Sequence, residues 1–135
     1  MANLSITAAN VIQGAGAVTS TGISGVAVTA GQSVYLDATD SKYKLADANA
    51  AASVNEASIA LHAAAINQPL TVQTGGTLAI GATVAVGTAY YVSTTAGSIC
   101  LESDLSSGDF PYLLGYATAA GTITMFRKNF GVAKA

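Results

Sequence analysis

A chain of 135 residues with a net charge of −2 is long enough for one domain with its own core. Only 9% of its residues are charged, and five basic side chains, Lys42, Lys44, Arg127, Lys128 and Lys134, do not make the stripe on which nucleic-acid binding rests. Hydrophobic residues reach 51%, yet they are largely Ala and Val scattered among Gly, Ser and Thr, and no run approaches the roughly 18 apolar residues of a membrane-spanning helix.

Residues 1–24 are rich in Gly, Ala, Ser and Thr, with one short apolar run from Ile6 to Ile12. They read as an extended N-terminal arm carrying one strand, ahead of a β domain over residues 25–135. The first twenty residues hold no basic side chain and no compact apolar block, so the expectation is a soluble chain made in the cytosol without a secretory leader. Alternation of apolar and polar residues then predicts strands at Gly25–Thr29, Ser33–Asp37, Tyr43–Ala46, Ser58–Ala63, Leu70–Gln73 and Thr77–Ile80. Further strands are predicted at Ala89–Ser93, Ile99–Ser103, Tyr112–Ala117 and Thr122–Phe126. Glycine content marks "QTGG" and "AAGT" as turns. "ADANAAASVNEAS", Ala46 to Ser58, has helix potential through its alanines, but Asn and Ser interrupt it, so a loop with at most one short helical turn is expected. Many short strands at regular spacing predict an all-β, single-domain sandwich or barrel of short antiparallel strands.

The chain repeats itself. At an offset of 56, Val34, Tyr35 and Leu36 fall on Tyr90, Tyr91 and Val92, Tyr43 falls on Ile99, and Leu45 on Leu101. Gly31 falls on Gly87 and Val28 on Val84. Each copy has the shape of a hairpin. A second block, Leu61 to Val72, aligns without gaps to Leu114 to Met125 at an offset of 53. The reading is two related β-units.

Catalytic chemistry finds little footing. His62 is the single histidine, lacks a neighbouring nucleophile motif, and falls opposite Gly115 in the repeat. Cys100 is the single cysteine, beside acidic rather than basic residues, and reads as a small apolar strand residue. Asp37, Asp40 and Asp47 flank the first hairpin, but "DATD" lacks the glycine and closing glutamate of a calcium loop, and short Asp side chains at turns bond the local backbone. One Cys and one His do not make a zinc site. No cofactor, metal or catalytic residue is assigned. The adjacent Tyr90 and Tyr91 point to opposite faces of a strand, which predicts one core ring and one exposed ring, either an interface anchor or a solvated side chain. "FRKNF", Phe126 to Phe130, reads as an interface rim or an exposed exit.

The layout of "MANLSITAANVIQGAGA", "AVTAGQSVYLDATDSKYKLADANAAAS" and "YLLGYATAAGTITM" resembles, over nearly all 135 residues, the capsid decoration or cement proteins of tailed bacteriophages. The resemblance implies a non-enzymatic structural virion protein on the capsid exterior. Such a protein adds to the assembled head as a homotrimer, binds the major capsid protein and stabilises contacts between capsid subunits. It implies no membrane or nucleic-acid partner. The expected interface residues are Ile6, Val11 and Ile12 of the arm, Tyr90 and Tyr91, and Phe126, Arg127 and Phe130 near the C-terminus. The alternative is a tail-fibre or spike β-module that binds a host glycan; the lack of Trp and an aromatic content of 7% count against it.

Overall fold

In the computed structural model, which describes residues 3–135, the chain forms ten strands and three single 3₁₀ turns. The strands are β1 (Val11–Gln13), β2 (Val18–Ser24), β3 (Ser33–Leu36), β4 (Lys42–Leu45) and β5 (Ser58–Ala60). They continue with β6 (Pro69–Ile80), β7 (Ala89–Val92), β8 (Ile99–Cys100), β9 (Tyr112–Ala119) and β10 (Thr122–Asn129). The protein is all-β. The Ala-rich stretch expected to carry at most one helical turn contains the 3₁₀ turn Ala52–Val54. The "AAGT" turn joins β9 to β10, with Gly121 at φ +78°.

Three expected elements differ. Ile99–Ser103 is a strand only at Ile99–Cys100, and its end enters the 3₁₀ turn Glu102–Asp104. Gly25–Thr29 is not a strand; only Val28 pairs, exchanging two backbone hydrogen bonds with Ala64 as the chain crosses from β2 to β3. "QTGG" is not a turn. Leu70–Gln73 and Thr77–Ile80 are the two halves of β6, and Gly75 and Gly76 lie inside that strand. A glycine within a strand often marks close backbone approach. Here Gly75 faces the Val18 side chain, and Gly76 lies against the backbone of Gly16 and Ala17.

The first half of the chain closes on itself. β2 pairs with β4, β4 with β3, β3 with β5, β5 with β6, and β6 back with β2. The result is a five-stranded ring whose interior holds Val34, Tyr43, Ala60, Leu70 and Val72. Chain direction alternates through β2, β3 and β4, so the β2·β4 pair is parallel in an otherwise antiparallel arrangement. The ring also corrects the division at residue 24. β1 and β2 lie within the expected arm, yet both are strands of the sheet, paired with β6. Val11 and Ser24 are buried.

The second half repeats the first. The hairpin pairs Tyr35↔Lys44 and Leu36↔Tyr43 recur, 56 residues on, as Tyr91↔Cys100 and Val92↔Ile99. Ser33↔Ile59 and Val34↔Ser58 recur as Ala89↔Tyr116 and Tyr90↔Gly115. Ile59↔Gln73 and Ala60↔Val72 recur as Tyr116↔Thr124 and Ala117↔Ile123. The sheet order β4-β3-β5-β6 is thus mirrored by β10-β9-β7-β8 across the antiparallel β6·β10 seam. The ungapped alignment of the second block is corrected by these registers: β5 matches β9 at an offset of 57, and the first half of β6 matches β10 at 51. The difference lies in the connections, residues 61–68 in one unit and the turn Ala120–Gly121 in the other.

The second half of β6 takes the place in unit two that β2 has in unit one, antiparallel to the strand that ends the unit. Its far side is bridged to β8 by the N-terminal segment. The Leu4 N–H donates to the Ile99 carbonyl at 2.8 Å, the Thr7 N–H to Gly81 at 2.8 Å, and β1 pairs with Leu78–Ile80. The main core fills this half with Leu78, Ile80, Val92, Ile99, Leu114 and Ile123, and Ile59 of the first unit packs into it.

Candidate interaction surface

The residues with chemical potential are engaged by the fold. The Nε2 of His62 accepts the Thr71 N–H at 3.0 Å, and Nδ1 sits 2.9 Å from the Ala63 carbonyl, which fixes the neutral tautomer with the proton on Nδ1. The imidazole ties the long β5–β6 connection to β6. The carboxylate of Asp37 accepts the Thr39 N–H at 2.9 Å and holds the Lys44 ammonium at 2.7 Å. Bonds from Lys44 and Thr39 hold this carboxyl well below the usual carboxylate range. Asp40 and Asp47 accept the backbone N–H groups of Lys42 and Asn49. Among the described residues no three metal-ligating side chains come together.

Cys100 is buried in β8, its thiol directed at the Val92 carbonyl. Burial pushes its pKa up to about 11, with Asp104 adding to the shift. Native protein is therefore expected to resist a thiol reagent at about pH 8 and to react fully once unfolded in guanidinium. Rapid labelling of the native protein would show that β8 opens readily.

The eight expected interface residues divide. Ile12, Phe126 and Phe130 are exposed. Ile6 is half-buried against the main core and Gly31. Val11, Tyr90 and Tyr91 are buried, which corrects the expectation for all three. Val11 fills the core because β1 is a sheet strand. Tyr90 also packs in the main core, and its hydroxyl accepts the Ala85 N–H at 3.2 Å. Tyr91 does point to the other side of β7, but that side is covered. It packs with Ala48, Cys100 and Leu105, and its ring meets Phe130 edge-on at 6.0 Å. The chain end is pinned there: the Lys134 ammonium binds Glu102 at 2.9 Å and the Leu105 carbonyl at 2.7 Å. Arg127 turns inward and donates to the Ala57 carbonyl at 3.1 Å.

The exposed residues that do come together lie on the outer face of β1, β6, β10 and β9. Ile12 stands opposite Ala79, which stands opposite Thr122. One row further, Thr77, Thr124 and Tyr116 are aligned across three strands. Thr124 and the exposed Phe126 alternate with the core residues Ile123 and Met125. At roughly 4.8 Å between strands, the span from Ile12 to Tyr116 is about 14 Å. No charged residue occurs in β1, in β6, in β9 or in β10 before Arg127. Tyr116 escaped the sequence reading because a bulge around Leu114 inverts the facing of β9: Leu114 and Ala117 are both core, and Tyr116 points out.

No protein-family model, curated protein or solved structure matches the chain.

Proposed function

We propose that the protein is a structural virion protein that binds the outside of a phage capsid and stabilises contacts between major capsid subunits. The observation that carries this reading is the uncharged outer face bearing Ile12, Thr122, Thr124, Tyr116 and Phe126. A Thr-rich face with a few large apolar side chains can be desolvated by another protein without stranding a charge. Presented by three copies in a homotrimer, such a face would gain affinity through multivalency. The engaged states of His62, Asp37 and Cys100 favour an adhesive role over a catalytic one.

The test is co-sedimentation with heads purified from a phage lacking the gene, together with the solution mass by light scattering. Wild-type protein is expected to be trimeric and to saturate the heads. The double variant Tyr116→Glu, Phe126→Glu should keep its melting temperature, since both side chains are exposed, and lose affinity by roughly a hundredfold. Failure of the wild-type protein to sediment with heads would sink the reading. Equal binding by the variant would remove the outer face from it.

A further inference from the structure

The first ring differs from its counterpart at one end. There, β2, β3, β4, β5 and β6 contribute Ser20, Leu36, Tyr43, Ser58 and Thr74 to a cavity of about 240 Å³, which Glu56 and Arg127 also line. The registers place Ile99, Gly115 and Met125 of unit two where Tyr43, Ser58 and Thr74 stand in unit one. Ile99 and Met125 are core residues. Unit two has filled this position with Ile99 and Met125, and unit one lines it with a mixture of hydroxyl-bearing side chains and Leu36.

Ser58 is only 1% exposed, and its Oγ has no hydrogen-bond partner among the described residues. Native proteins pair such a hydroxyl with a trapped water, and with under 1 Å² of accessible surface it is shut off from the cavity itself. Glu56 is held in the lining with φ +48°, a conformation uncommon for a residue other than glycine. The backbone there is further fixed by Arg127, whose guanidinium bonds the carbonyls of Glu56 and Ala57.

The lining selects a chemical class. A buried anion would meet the Glu56 carboxylate, and a buried cation would meet the Arg127 guanidinium; either burial is costly unless paired. Hydroxyls both donate and accept. A neutral ligand carrying several hydroxyls can pair with Ser20 and Thr74 while also donating to Glu56 and accepting from Arg127. The volume is below the roughly 300 Å³ at which pockets for drug-sized ligands begin, which limits the ligand to one ring or less. We propose that this cavity binds a small neutral polyol, between glycerol and a single hexose ring in size. The site shares no residue with the outer face, so capsid co-sedimentation neither supports nor sinks it.

The test is a titration of the ¹⁵N-labelled full chain with glycerol, glucose, galactose and N-acetylglucosamine, with acetate and inorganic phosphate as charged controls. At least one polyol is expected to give saturable amide shifts centred on Ser58, Thr74 and Arg127, with a Kd of about 1–10 mM. Thr74→Met, which installs the side chain found in unit two, should weaken binding at least about tenfold. Ser20→Ala, a smaller change that leaves the cavity open, should weaken it too, and it decides the matter if the methionine variant misfolds. Absence of saturation with all four polyols, or shifts centred elsewhere, overturns the site. A stronger response to acetate or phosphate overturns the neutral class.

Discussion

A chain lacking residues 1–24 is expected to lose its cooperative unfolding transition. The deletion removes β1 and β2, and β2 closes the first ring by pairing with β4 on one side and with Pro69 to Gly75 of β6 on the other. Without it, Val34, Tyr43, Leu70 and Val72, all inside the ring, face water along one open side. Exposing about half the apolar surface of these four costs roughly 3–6 kcal/mol. Total domain stability is roughly 5–15 kcal/mol. Loss of Val11 from the main core adds to the deficit. β4 and β6 would also gain unpaired edges, which favours aggregation. Thermal melting by circular dichroism is the measurement. A shorter deletion, residues 1–10, keeps β1 and β2 and removes Leu4 and Ile6 from above the core; it is expected to fold, with a lowered Tm. A sharp transition near the parent temperature for the longer deletion would show that the ring closes without β2. Lost capsid binding by that deletion would therefore report unfolding, which is why point variants on the outer face are the better probe of function.

The two hairpins were legible because their strands alternate locally and their turns are short. Tyr35 and Lys44, and Tyr91 and Cys100, pair at the register that the 56-residue offset implies. What the sequence hides is set by distant partners. Nothing near Tyr91 says that Phe130, 39 positions on, covers its ring. Nothing near Val11 says that β6 accepts it as a strand partner. Leu114 reads as a continuous alternation with Tyr112 and Tyr116, and only the pairing of β9 with β7 reveals the bulge that turns Tyr116 outward. The polar cavity was invisible for another reason. Ser20, Ser58 and Thr74 come from three strands, and their contrast with unit two emerges only when β5 and β6 are matched to β9 and β10 at two different offsets.

Gly76→Ala is expected to destabilise the protein by about 3 kcal/mol or more, and it tests how the two units are joined. Up to Gly75, β6 belongs to the first ring and pairs with β2; from Gly76 onward it pairs with β10, and from Leu78 also with β1. The change of partner occurs where Gly76 adopts φ +78°. An alanine there meets two separate penalties. The left-handed conformation costs an L residue roughly 1–2 kcal/mol. The new Cβ would also press on the Gly16 carbonyl and the Ala17 nitrogen, which are backbone atoms of the β1–β2 link and cannot rotate away. Gly87→Ala supplies the control. Gly87 has φ +85°, but a Cβ there meets nothing within 4 Å, so only the conformational penalty applies. In a chain of this size each kcal/mol lowers Tm by roughly 3–5 °C. The control should therefore melt about 3–10 °C below the parent, and Gly76→Ala about 9–15 °C or more below it. Similar losses for both would mean that the β1–β2 link shifts freely to admit a methyl group. A much larger loss at Gly76 would mean that the close approach of that link to β6 is what holds the ring and the second unit in register.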